Sequence, residues 1–171
     1  WLGFILADGC LHLTNTNNFN GHFSIDIGGE DKKHLYKFAS FIEADRDIVQ
    51  TTIHNITGNE LVHVQLCCAD TQRDLYNLGI RPRKSGKEKW IETPFPADFI
   101  RGYYDGDGYI KQDLGSIGLV GSYELLNSIQ QHFLSVLNIE PKKIGEHGAI
   151  FRIEYTSKPD KKAIVNYLWY D

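Results

Sequence analysis

Asp8 and Asp107 are the residues around which chemistry can be organised. Each lies near the end of a similar stretch, Trp1-Leu-Gly-Phe-Ile-Leu-Ala-Asp-Gly9 and Ile100-Arg-Gly-Tyr-Tyr-Asp-Gly-Asp-Gly108. Gly3, Asp8 and Gly9 recur as Gly102, Asp107 and Gly108, and Ala7 recurs as another small residue, Gly106. Two carboxylates brought together repel, and a carboxylate at the C-terminal end of a helix also meets the negative end of the dipole. A Mg²⁺-class ion resolves both conflicts, because hard cations take oxygen ligands and commonly use one or two carboxylates plus phosphate. Divalent metal between paired carboxylates is the machinery of phosphodiester hydrolysis. A single Asp-Gly marks no more than a helix end or a turn; the recurrence of the whole stretch raises it above that. Asp105-Gly-Asp-Gly108 also resembles the start of a calcium loop. That pattern needs a further Asp or Asn two residues after Asp107 and then Gly, where this chain has Tyr109 and Ile110.

The elements that position these aspartates read the same way in both halves. Gly3 and Ala7 share one helical face, as do Gly102 and Gly106. Glycine costs about 1 kcal/mol inside a helix, a cost tolerated where another backbone must come close. The simplest partner for each helix is its own repeat, which would set Asp8 beside Asp107. Gly9 and Gly108 suit a left-handed position that ends a helix. Strands are expected at 10–15, 21–27, 47–55 and 60–67, with a helix whose apolar face is Leu35, Phe38, Ala39 and Ile42. A short helix from Thr71 to Leu78 follows, with Thr71 and Asp74 resembling a capping box. In the second half, strands are expected at 109–113, 116–121, 142–145 and 149–155. Helices are expected at 123–137, with Leu125, Ile129, Phe133 and Val136 or Leu137 inward, and at 159–171. Each half is therefore αββαββα, and the fold class is α+β. Residues 1–80 form the first half, 81–95 a basic linker, and 96–171 a second half cut short in its last helix. The chain starts and stops within helical patterns, as a fragment trimmed at both ends would.

Composition sets the boundaries. The chain has 171 residues, 42% hydrophobic and 23% charged, which describes a globular protein. No apolar run approaches the roughly 20 residues of a membrane span, and no secretory leader is visible. The expected location is the cytoplasm, or an organelle if the gene is organellar. Cys10, Cys67 and Cys68 are odd in number and lack zinc-ligand spacing; they read as small apolar core fillers. The seven histidines show no HxxxH spacing. The net charge of −4 is awkward for a nucleic-acid binder. The dense basic cluster, Arg81, Arg83, Lys84, Lys87 and Lys89, carries one acid, Glu88; its simplest reading is a solvated linker.

With WLGFILADG and IRGYYDGDG in place, the chain resembles the LAGLIDADG homing endonucleases in their monomeric, two-motif form, over nearly its whole length. The resemblance implies two halves related by a pseudo-twofold axis, with the motif helices at the interface through Gly3, Ala7, Gly102 and Gly106. It implies two antiparallel sheets forming a saddle over the DNA major groove. It assigns divalent metal, expected as Mg²⁺, to Asp8 and Asp107 with the carbonyls of Ala7 and Gly106. The motif's earlier Asp is present as Asp105 but replaced by Leu6 in the first copy; that position is usually not the ligand. Gly79-Ile-Arg-Pro-Arg-Lys-Ser85 resembles a recurrent lysine-serine signature, which makes Lys84 the first and Lys89 the second candidate for the basic residue that helps polarise water or stabilise charge in such sites. The equivalent place in the second half lies beyond Asp171.

Strand alternation then suggests which side chains face DNA: His12, Thr14, Gln50, Thr52, His54, His63 and Gln65 in the first half, and Lys111, Asp113, Lys143, Arg152 and Glu154 in the second. Long polar side chains on a sheet suit base-edge and phosphate contacts, although an ordinary solvated face has the same pattern. Lys84, Lys89, Lys111, Lys143 and Arg152 are expected to line a positive or neutral groove, with Glu30, Asp31, Glu43, Asp45 and Asp74 on the outer helical side. The function expected is metal-dependent double-strand cleavage at a long, specific DNA site by a monomer. A non-cleaving DNA-binding module of the same fold and the endonuclease part of an intein are the alternatives.

Overall fold

A computed structural model describes residues 1–53 and 58–169. They order as α1 (Leu2–Asp8), β1 (Gly9–Asn15), β2 (Asn20–Gly28), α2 (Lys32–Phe41), β3 (Val49–Ile53), β4 (Glu60–Leu66) and α3 (Ala69–Asn77). The order then repeats as α4 (Pro96–Asp107), β5 (Gly108–Ile110), β6 (Ile117–Gly121), α5 (Tyr123–Leu137), β7 (Gly145–His147), β8 (Ile150–Tyr155) and α6 (Lys158–Trp169). The duplicated α+β fold read from the sequence is present. Its two antiparallel sheets have corresponding strand orders, β1-β2-β4-β3 and β5-β6-β8-β7. The described residues contain no helix long and apolar enough to cross a membrane.

The chain divides into two compact units, one made of Asp8–Arg83 and one of Trp1–Ala7 with Lys84–Asp171. In the first of these, Leu11, Phe23, Ile25, Val62 and Val64 make the buried side of the sheet, and α2 contributes Leu35, Phe38 and Ala39. The helix after β4 begins two residues earlier than expected. Cys68, in extended backbone, is its N-cap, so Thr71 lies inside the first turn and no Thr71–Asp74 capping box forms. Cys67 and Cys68 are exposed and Cys10 is half-buried, all as free thiols. They are not core fillers; the β4–α3 corner carries the adjacent pair outward.

In the other unit, α5 spans the expected 123–137. Ser122 caps it by accepting from the Leu125 N–H (3.0 Å), and Asn138 ends it in the left-handed region at φ 55°. Leu125, Ile129 and Phe133 are buried, with Leu126 beside them, but Val136 is exposed. No strand forms at 142–144; of the expected strand only Gly145 pairs, as the first residue of β7. Lys142 is instead tied to α5 and α6, its N–H to Gln130 Oε1 (3.1 Å) and its ammonium to Asp160 (2.8 Å). The hairpin is shifted to β7, where Gly148 at φ +62° makes the tight turn into β8.

Candidate metal centre and nucleic-acid interface

The contact between α1 and α4 is backbone on backbone. A Cβ on Gly3 would overlap the Phe99 carbonyl oxygen and stand 2.5 Å from the Tyr103 nitrogen. A Cβ on Gly102 would stand 3.0 Å from the Phe4 nitrogen. Phe4, Ile5, Leu6, Phe99, Ile100 and Tyr103 are buried around this approach. At the far end of α4 the chain runs from Asp107 straight into β5. Gly108 therefore caps the helix in extended backbone, φ −87°, not in the left-handed region the sequence suggested. Glycine is required there because a Cβ would overlap Tyr104, its carbonyl oxygen and ring. Gly9 likewise opens β1 without a positive φ.

Burial pushes the Asp107 carboxyl above its ordinary range. The Tyr103 hydroxyl and the Lys84 charge counter this, while the Glu88 charge adds to it. Lys84 is the one cation of the basic segment that turns inward: its Nζ donates to the Ala7 carbonyl oxygen at 2.6 Å. That oxygen lies in the last turn of α1, where carbonyls lack helical partners and a cation is favoured. Asp8 follows as the final residue of α1. Lys89 goes elsewhere, its ammonium 3.3 Å from Glu124 with its side chain 70% exposed.

The open face of the first sheet is polar, and strand register fixes its rows. His12 lies opposite His22, Ser24 opposite Gln65, and His63 between Asp26 and Gln50. The His12 and His22 rings stack at 4.5 Å. Thr14 bonds back to the Asn20 carbonyl (2.9 Å), and Thr52 is exposed on β3. His54 lies outside the described residues. On the second sheet, Tyr109, Gly118 and Glu154 form one row and Val120 and Arg152 the next. Lys111 Nζ donates to Glu154 at 2.5 Å. The hydrogen bond from Lys111 holds the Glu154 carboxyl below its ordinary range, and the same bond raises the lysine.

Three residues expected on strands are in loops. β5 stops at Ile110, leaving Lys111 and Asp113 in the following turn, where Asp113 accepts from the Gly115 N–H (2.8 Å). Lys143 is exposed in the segment before β7. Sequence reasoning passed over His22, Tyr109 and Glu88. Tyr109 alternates in step with the chosen Lys111 and Asp113, and His22 with Ser24 and Asp26 on its own strand, so period two was sufficient to find them. Glu88 gave only the signal of being the lone acid in a basic run.

Residues 94–166 match the family model described as a LAGLIDADG-like domain. No curated protein matches the chain in sequence. Among solved structures, full-length DUF199/WhiA from Thermatoga maritima aligns with 99% of this chain at 14% identity and TM-score 0.66, and this chain covers 54% of that one. A variant of the homing endonuclease I-DmoI, in complex with its target DNA in the presence of manganese, aligns with 99% of this chain and 91% of its own at 18% identity and TM-score 0.64. The LAGLIDADG meganuclease I-AabMI bound to uncleaved DNA aligns with 97% of this chain and 80% of its own at 10% identity and TM-score 0.60. Residues 94–166 thus carry a LAGLIDADG-like domain, and the chain shares the fold of LAGLIDADG proteins over nearly its full length.

Proposed function

We propose that the chain is a metal-dependent, site-specific DNA endonuclease acting as a monomer, with halves 1–80 and 96–171 joined by the basic segment 81–95. The observation that carries this reading is Asp107, a desolvated carboxylate at the end of a LAGLIDADG helix with an inward-turned lysine beside it. Burial raises this carboxyl and the Tyr103 hydroxyl and Lys84 only partly offset it, so a bound cation would favour its charged form. The donors are hard oxygens, which fits Mg²⁺ or Mn²⁺. By the resemblance, the last Asp of each motif would hold metal with the backbone oxygen before it, Asp107 with Gly106 and Asp8 with Ala7. When bound, it would supply Lewis acidity to the scissile phosphate. Lys84, kept in place by the Ala7 carbonyl, would present a positive charge to the reacting phosphate. The polar sheet faces would bind duplex DNA.

The test is a randomised duplex library incubated with the protein and Mg²⁺, with EDTA as the control. Recovery of one cut sequence class, lost with EDTA, is the expected result. Specific retention of DNA with no cleavage in either Mg²⁺ or Mn²⁺ would replace this reading with a second one, a binding module. That second reading has its own support in the Lys84 ammonium already seated on the Ala7 carbonyl, an oxygen the metal would need.

DNA binding is expected to weaken with salt at a log–log slope of roughly −0.9 per neutralised phosphate. Lys111 is held by Glu154, so phosphate must compete with that carboxylate. Lys111→Ala should flatten the slope by about one phosphate's worth, and Glu154→Gln should tighten binding at low salt. Titrations over a salt series check both; a slope unchanged in Lys111→Ala would remove this lysine from the interface.

A further inference from the structure

The basic segment turns its charges in two directions. Arg81, Arg83, Lys87 and Lys89 are exposed, whereas Glu88, the acid within 81–89, is only 6% exposed. A buried carboxylate is costly unless its lone pairs are met. Here Oε1 accepts from the Gly86 N–H (2.9 Å) and Oε2 from the Ser122 N–H (3.0 Å). The Glu88 backbone carbonyl also accepts from the Ser122 hydroxyl. Ser122 Oγ in turn accepts from Leu125 N–H and caps α5. The carboxylate thus sits at the positive end of a helix, where negative charge is favoured. A glutamine could not substitute, because one carbonyl oxygen would face one N–H and the amide nitrogen would oppose the other.

This clasp holds a turn with Lys84 at its start. The Lys87 N–H closes it onto the Lys84 carbonyl (2.7 Å), and Gly86 at φ +75° supplies the left-handed position. Lysine has a long flexible stem, so its ammonium is ordered only if its backbone is. We infer that Glu88 is the positioning residue for Lys84: it pins the 84–88 turn to the N-terminus of α5 and so aims the Lys84 ammonium at the Ala7 carbonyl. The catalytic meaning of this clasp rests on the endonuclease reading; its effect on Lys84 does not.

The experiment has two arms on the full chain. In the first, lysines are acylated and read by mass spectrometry. Lys84 should label several-fold more slowly than Lys87, and Glu88→Gln should raise Lys84 toward the Lys87 rate with Lys87 and Lys89 unchanged. Ser122→Ala, which removes one donor and the α5 cap but leaves the Glu88 side chain in place, should move Lys84 the same way by less; it also decides the matter if Glu88→Gln does not fold. In the second arm, Glu88→Gln should lower kcat for DNA cleavage by about 100-fold, the scale of a small misplacement of a reacting group, with KM little changed. Unaltered Lys84 labelling in a folded Glu88→Gln protein overturns the inference, as does a raised KM with kcat intact. If the parent cuts no DNA, the endonuclease reading falls while the labelling arm still decides what Glu88 does to Lys84.

Discussion

Asp107→Asn is expected to abolish cleavage and to make the metal-free protein more stable at neutral pH. The two effects have one cause. Removing a group that works as part of a catalytic unit lowers kcat by about three orders of magnitude or more, and the same loss is expected for Asp8→Asn. Folding works the other way for Asp107. Burial raises its carboxyl in the folded chain above the value it has when unfolded. The native state therefore binds the proton more tightly, and stability falls as pH rises through the interval between the two values. Above that interval the parent carries a desolvated charge that the amide lacks. Thermal melts in EDTA should show Asp107→Asn above the parent at pH 7 and converging with it in acid. Cleavage assays on the same samples complete the measurement. A variant that cuts as fast as the parent would end the catalytic assignment, and one that melts well below it would make Asp107 a structural residue.

Gly3→Val is expected to be the most destabilising single change in the motif. Its side chain would enter the space held by the Phe99 carbonyl and the Tyr103 amide, which are backbone atoms of a helix and cannot turn aside. Overpacking ordinarily costs about 1–3 kcal/mol. Here the helices must separate and uncover Phe4, Phe99 and Tyr103, so the loss should exceed about 4 kcal/mol, the range reserved for disrupted cores. Gly102→Ala, with 3.0 Å to the Phe4 nitrogen, should cost less, because a shift of a few tenths of an ångström relieves it. Chemical denaturation of both variants orders them. A Gly3→Val protein within 1 kcal/mol of the parent would mean that this helix contact does not hold the unit together.

Much of this arrangement was legible because the relevant signals are periodic. The doubled Gly…Asp-Gly stretch, the α5 face of Leu125, Ile129 and Phe133, and the alternation of Val62 and Val64 with His63 and Gln65 each report a burial pattern that a single residue cannot counterfeit. What failed was set by tertiary ties. Lys142 is drawn toward Asp160 on a helix far along the chain, which moves the hairpin onto 145–147. Gly108 is glycine because of the Tyr104 ring and not because of its own dihedral angle. Glu88 looked like an interruption in a basic run, since nothing local says that its partner is the amide of Ser122. The lysine-serine resemblance ranked Lys84 above Lys89 without a physical reason; the bond from Lys84 to the Ala7 carbonyl, against the exposed contact of Lys89 with Glu124, supplies one.

The grouping of Trp1–Ala7 with Lys84–Asp171 bears on how the protein is made. α1 leaves the ribosome well before α4 and has no place to dock until the chain has grown past Asp107. Through that interval Phe4, Ile5 and Leu6, buried in the finished unit, are apolar side chains without a partner. Contacts of such sequence separation form slowly, because the loop must close before they return anything. The segment Asp8–Arg83 can meanwhile complete its own sheet. Although synthesised well before its partner, α1 is thus packed late, and translation leaves it exposed to chaperones and to aggregation. Transplanting α1 to follow α6 through a short linker would bring its synthesis after that of its partner and should shorten this exposure.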